Sequence, residues 1–166
     1  MFVEMKVSGL TIDPLTNTPI VILKDLEGKR AVPIWIGLFE ASAIATELEK
    51  ISFSRPMTHD LMRDLLKILD AKVKRIEIVD LRNNTFFASI HLQRNGETLI
   101  IDSRPSDAIA LALRVNCPIF IDEKVIEKSR NIDFAKKVDE LDKKKTEELK
   151  EFLENLPEED FGKYKM

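Results

Sequence analysis

The sequence predicts an α/β domain of the α+β kind, with mixed or antiparallel sheets carrying helices and a helical C-terminal extension. Three observations predict it. Runs of aliphatic and β-branched residues separated by turn residues recur in two blocks, before residue 37 and after residue 72. An alanine-rich segment with helical spacing follows each block. The composition then changes near residue 130, where lysine and glutamate take over.

In chain order, Phe2 to Ile12 reads as a strand, closed by the turn residues Asp13-Pro14-Leu15-Thr16-Asn17. Strands at Pro19–Leu26 and Ala31–Ile36 follow, the latter ending at Gly37. A helix is expected from Leu38 to Lys50, and another from Thr58 to Leu69, where Thr58 suits an N-cap and Leu61, Met62, Leu65, Leu66 and Leu69 form one apolar face. Val73–Leu81 and Phe86–Leu92 are strands around Asn83-Asn84, and Asn95-Gly96 marks a hairpin into Glu97–Asp102. A third helix opens at Arg104-Pro105 and runs to Val115, before a short strand at Ile119–Ile121.

The two blocks echo each other. Ala43, Ile44, Ala45 and Leu48 of EASAIATEL match Ala108, Ile109, Ala110 and Leu113 of PSDAIALAL at one constant offset. Chance similarity of alanine-rich helices and internal duplication both account for this. Duplication predicts two strand-strand-strand-helix units sharing one sheet system, with equivalent helix starts at Gly37 and Asp102.

Residues 1–130 hold 18 basic and 18 acidic residues, whereas residues 131–166 hold 8 against 11. The body is thus neutral and the extension acidic, which argues against a simple basic nucleic-acid binder. Phe134, Val138, Leu141, Leu149, Phe152 and Leu156 give residues 134–156 an amphipathic helical pattern, stopped by Pro157. Two domains are therefore expected: a body over 1–130 and a charged helical extension over 131–166. No apolar run approaches the roughly 20 residues that span a bilayer. The N-terminus lacks the pattern of a secretory signal, and the lone Cys117 permits no internal disulfide. The expected setting is a reducing cytoplasm, without a membrane partner.

Neither a phosphate-cradling glycine loop nor an H-E-x-x-H or G-x-S-x-G motif is present, and two histidines exclude a three-histidine zinc site. What remains is two Arg-Pro segments that open helices, Arg55-Pro56-Met57-Thr58-His59-Asp60 and Asp102-Ser103-Arg104-Pro105-Ser106-Asp107. Helix starts attract anions, an arginine adds a bidentate phosphate ligand, carboxylates hold hard metals, and a histidine moves protons near neutrality. The plain alternative is capping and salt bridging: Thr58, Ser103 and Ser106 are ordinary cap residues, and Asp60 and Asp107 suit a first helical turn. Trp35 and His91 read most simply as packing residues.

Val32-Pro33-Ile34-Trp35-Ile36-Gly37 with Glu40-Ala41, the Arg55–Leu61 segment and the Asp102–Ala112 segment together resemble the bifunctional nuclease family in order and spacing. The resemblance covers about residues 1–130, and Glu158-Glu159-Asp160-Phe161 is similar to prokaryotic members. The charged extension departs from the UvrB/UvrC-type tail of plant members. The resemblance implies nuclease activity on DNA and RNA and a homodimer or larger assembly. Polar positions inside the matching motifs are the candidate site: His59, Asp60 and Asp107 for catalysis; Arg55, Thr58, Arg104 and Ser106 for substrate; and Glu40, Asp60, Asp102 and Asp107 for Mg²⁺ or Mn²⁺. The other reading is a non-enzymatic homo-oligomeric module binding a nucleotide, another anion or a protein. The near-repeat and the shared Arg-Pro and Asp chemistry predict that the two Arg-Pro helix starts lie close together, as a single site requires. Self-association is expected through strand edges or the Trp35 region.

Overall fold

Turn chemistry sets the register of the sheet. In the computed structural model, which describes residues 1–130 and residues 151, 154 and 155, Asn83 and Asn84 have φ of 50° and 58°, and Asn95 and Gly96 have 51° and 77°. Two consecutive left-handed residues make the tight turns whose twist matches paired strands. They join β4 (Lys72–Arg82) to β5 (Thr85–Arg94) and β5 to β6 (Glu97–Ser103), placing Arg82 opposite Thr85 and Arg94 opposite Glu97. Earlier in the chain, the Asp13 carboxylate accepts the Leu15 N–H at 2.9 Å, turning β1 (Phe2–Ile12) into β2 (Pro19–Asp25). Asp25 accepts the N–H groups of Lys29 and Arg30 before β3 (Ala31–Trp35).

The seven strands form one mixed sheet in the order β3-β2-β1-β7-β4-β5-β6. β7 (Ile119–Asp122) comes last in the chain but enters at the centre, antiparallel to β1 and parallel to β4. Each side of it is a three-stranded antiparallel meander whose outer strand leads into a helix: β3 into α1 (Leu38–Leu48), and β6 into α3 (Pro105–Val115). The expected strand-strand-strand-helix units are therefore present as topology. Their register differs from the sequence echo, because the helix starts, Leu38 and Pro105, are 67 positions apart. That offset aligns Glu40 with Asp107, Ala41 with Ala108, Ile44 with Leu111 and Ala45 with Ala112. The N-cap position of α3 is Arg104, two residues beyond the expected Asp102.

The sheet is strongly curled. Flat, β3 and β6 would stand six spacings of about 4.8 Å apart. Instead the Arg104 side chain, just after β6, hydrogen-bonds Glu40, just after β3, at 2.8 Å. The ends of the two edge strands are thus drawn towards one seam. α3 lies against α1 and α2 (Thr58–Ile68) and is buried along most of its length, which explains a sequence apolar on nearly every side. One core joins this helix to Val21, Leu23, Val32, Ile34, Ile76, Ile78 and Ile121.

Some local expectations differ. α2 is capped by Met57, with Thr58 already its first helical residue. Ser103 does not cap α3; its hydroxyl donates to the Arg104 carbonyl at 2.8 Å. A short α4 (Glu123–Arg130) was not anticipated; the Asp122 carboxylate accepts the Lys124 N–H at 3.0 Å to start it, and Val125 and Ile126 anchor it in the core. The helix expected over 134–156, like the extension as a whole, lies outside the described residues apart from 151, 154 and 155. Among the described residues, no helix is long and apolar enough to cross a membrane.

Candidate active site

Three helices begin near the seam, and each carries a carboxylate at its third residue: Glu40 in α1, Asp60 in α2 and Asp107 in α3. First-turn acids are favoured by the positive end of the helix dipole, so local sequence preference alone puts three carboxylates here. Tertiary packing decides their partners. Asp107 accepts Arg104 Nε on Oδ2 at 2.8 Å, while its Oδ1 lies 2.9 Å from His59 Nε2. Arg104 Nη1 donates to Glu40 Oε1 at 2.8 Å. The chain His59–Asp107–Arg104–Glu40 thereby links the starts of all three helices.

Asp60 faces a different guanidinium. Its Oδ2 accepts the Met57 N–H at 3.0 Å, and its Oδ1 accepts Arg114 Nε at 2.7 Å. Arg114, in the last turn of α3, is buried, and it also donates to the carbonyls of Ala110 and Ala43. It therefore ties α3 to both α1 and α2. Arg114 was missed in the sequence, yet a signal was present: an arginine closing the helix PSDAIALALRV has to find partners if that helix is buried.

Charge is held firmly in place. Burial pushes the Asp107 carboxyl up, but hydrogen bonds from Arg104 and His59 outweigh it and leave the group below its ordinary value. Burial likewise raises Asp60, and Arg114 with the Met57 N–H brings it below normal. Hydrogen bonding to Asp107 is the largest of the effects that raise Arg104. An ionised Asp107 can only accept. In the neutral imidazole, Nε2 then carries the hydrogen and Nδ1 is the nitrogen left to take up a proton.

These groups border a cavity of about 560 Å³, with His59, Thr58, Glu40, Arg104, Asp107 and Arg114 among its polar lining and Phe39 and Phe53 among its apolar lining. The expected proximity of the Arg-Pro helix starts is therefore observed. Ser106 is buried and lines a second cavity that shares Glu40 and Arg104 with the first. Asp60 does not line either cavity and stands behind Arg114. Arg55 is exposed and lines neither, and Asp102 lies on β6 opposite Ser89, also outside both. His91 is elsewhere, with Nε2 2.9 Å from Glu77 Oε2, and Trp35 donates its indole N–H to Asp13 at 3.0 Å.

The proposed divalent-ion ligands Glu40, Asp60, Asp102 and Asp107 do not gather. Among the described residues, no three of the His, Cys, Asp and Glu side chains form a group that could hold a metal ion. Two carboxylates are paired through Arg104 and a third through Arg114. As arranged, this set fits pairing with guanidinium groups rather than a metal ion.

The sequence profile of the bifunctional nuclease domain matches residues 21–133. The uncharacterized protein Rv1829 of Mycobacterium tuberculosis is 38% identical over 167 residues, covering 95% of this chain and 97% of its own length. Bifunctional nuclease 1 of Oryza sativa subsp. indica is 23% identical over 109 residues, 63% of this chain and 33% of the plant protein. Bifunctional nuclease 1 of Arabidopsis thaliana is also 23% identical, over 63% of this chain and 34% of its own length. The profile spans the seam and all three helix starts, so the chain belongs to the bifunctional nuclease domain family.

Proposed function

We propose that the protein hydrolyses phosphodiester bonds in DNA and RNA, with the cavity at the three helix starts as its active site. The observation that carries this reading is the His59–Asp107 pair, 2.9 Å apart, beside Arg104. A carboxylate that orients an imidazole leaves it able to activate water. Two of the five guanidinium N–H groups of Arg104 are used by Asp107 and Glu40, and others remain to meet a phosphate oxygen. Water attacks phosphorus as His59 Nδ1 takes its proton. The new P–O bond forms, the bond to the leaving sugar oxygen breaks, and the imidazolium returns the proton to that oxygen. The products are a phosphate monoester and an alcohol. Arg104 stabilises the charge gathering on the phosphate oxygens. Thr58 borders the same cavity as a further substrate contact, and no step is routed through a metal.

A second reading is an anion-binding module without turnover. One observation favours it: Asp107 and Glu40 hold Arg104 in place while part of its guanidinium is left to meet an anion, an arrangement that needs no turnover. Purified protein assayed on DNA and RNA, with Mg²⁺, with Mn²⁺ and with chelator, separates the two. Cleavage that disappears in His59→Ala and Asp107→Asn carries the hydrolase reading. Cleavage that persists in both variants points to a contaminant and overturns it.

The same proposal includes a cytoplasmic homo-oligomer joined through β6. This edge strand exposes Leu99, Ile100 and Ile101 in succession and carries neither proline nor lysine, the usual protections of an open edge. The opposite edge, β3, contains Pro33. An antiparallel pair of β6 strands centred on Ile100 sets Leu99 against Ile101 and Asp102 against Thr98, with no like charges opposed.

A further inference from the structure

We propose that Phe39 is the platform on which a base of single-stranded nucleic acid stacks when the adjoining phosphate lies at Arg104. The substrate class is then unpaired strands rather than intact duplex. This rests on the phosphodiesterase reading for the placement of that phosphate. Phe39 is the second residue of α1, is 87% exposed, and borders the cavity of about 560 Å³ that His59, Arg104 and Asp107 also line. That volume is within the range of small-molecule sites. Core packing does not account for the ring. The apolar positions that flank a helix start and fix its entry are here Ile36, just before the N-cap Gly37, and Ala41, and both belong to the core. Phe39 lies between them in sequence and is left in solvent. An open aromatic face takes up any base by stacking.

Position and charge strengthen the assignment. Glu40, the next residue, accepts Arg104 Nη1 at 2.8 Å, so the guanidinium is anchored one residue along the chain from the ring. The His59–Asp107 pair borders the same cavity, which places a stacking surface, a phosphate ligand and a proton acceptor around one space. Leu38, 44% exposed, also lines it and extends its apolar side. The neutral body, with 18 basic and 18 acidic residues, offers little excess charge for counterion-driven duplex binding. Stacking therefore supplies much of the affinity. Bases paired inside a duplex have their faces covered by their neighbours and reach such a ring only at the cost of unstacking.

The full chain and its Phe39→Ala, Phe39→Leu and Phe39→Trp variants are titrated with end-labelled oligothymidylate and with its duplex, and anisotropy reads binding. Wild type is expected to bind the single strand at least about tenfold more tightly than the duplex, and Phe39→Ala to lose about tenfold on the single strand with an unchanged thermal melt. Phe39→Leu, which keeps apolar surface but no π face, falls with Phe39→Ala. Phe39→Trp keeps the affinity, and the emission it adds to that of Trp35, the chain's own single tryptophan, is quenched on binding. Thymidine 5′-monophosphate competes better than inorganic phosphate against wild type and loses that advantage against Phe39→Ala. Equal affinity of wild type and Phe39→Ala, wild-type binding by Phe39→Leu, equal affinity for duplex, or no binding at all overturns the proposal. So does a smaller assembly of Phe39→Ala in light scattering, which assigns the ring to a subunit contact. Cleavage that is unaltered in Phe39→Ala retires the platform and leaves the hydrolase reading standing. Binding that depends on Phe39, without cleavage, retires hydrolysis and keeps the platform.

Discussion

His59 and Asp107 set the scale of the residue-level effects. Removing a positioned general base costs about 10²–10⁴-fold in rate, so His59→Ala lowers cleavage by that order, and equal turnover of variant and wild type would refute its role. Gly37 tests the Arg104 tether more gently. Its φ of −73° suits alanine, but an added Cβ meets the Glu40 carboxylate, which has to move away. Gly37→Ala therefore changes stability by less than about 1 kcal/mol while lowering affinity or turnover, read by thermal melts beside steady-state kinetics. Arg114→Ala is the opposite case. It leaves Asp60 largely enclosed with only the Met57 N–H and Arg63, 3.9 Å away, as partners, a loss of about 3 kcal/mol, at the low end for buried pairs because Asp60 keeps some exposure and those contacts. Asp60→Asn with Arg114→Met recovers part of that loss in urea melts. Since Asp60 and Asp107 titrate below the ordinary carboxylate value of about 3.9, the unfolded chain takes up protons first as pH falls. Their contribution is complete at neutral pH and is lost as acidity passes down through the folded-state values. The urea midpoint therefore drops on acidification below about pH 5, and less steeply in the double variant.

Among the elements, β6 is the one whose sequence conflicts with an isolated protomer. Burial of Leu99, Ile100 and Ile101 at an edge-to-edge contact removes exposed apolar surface worth about 25 cal/mol per Å². Ile100→Lys introduces a charge at the centre of a self-paired strand and places two lysines opposite each other. The expected result is dissociation to monomers by light scattering with unchanged far-ultraviolet circular dichroism. A wild-type monomer at micromolar concentration would remove the β6 contact. α2 shows the same tension between pattern and burial. Of the apolar face expected for it, Met62 and Leu66 pack on the core, while Leu61, Leu65 and Leu69 remain exposed.

At the scale of the molecule, the seam organises everything else. Curling the sheet brings the helix that follows β3 to the helix that follows β6, and Arg104 closes the gap between them. Every residue of the proposed chemistry lies within 1–130, as does the described core. Deleting residues 131–166 is therefore expected to leave a folded body that retains cleavage per folded molecule, with any change confined to stability or assembly. A truncated protein that stays folded and assembled yet loses all cleavage would place part of the site in the extension.

Local chemistry determined the elements. Asn-Asn and Asn-Gly demand left-handed turns, β-branched runs demand strands, and first-turn acids mark helix starts, so seven strands and three helices were legible from short stretches of sequence. Short α4 escaped because two adjacent apolar residues in eight, Val125 and Ile126, leave little periodicity to detect. The candidate site was legible only as parts. Arg55, Arg104, Asp60 and Asp107 carry the same signal in sequence, an Arg-Pro helix start with an acid, yet only Arg104 and Asp107 line the cavity with His59. Pairing a carboxylate with His59 rather than Arg114 depends on which helices touch. That is a consequence of the sheet's curl and of α3 sitting between α1 and α2, and contacts between residues 48 positions apart leave no trace in local pattern.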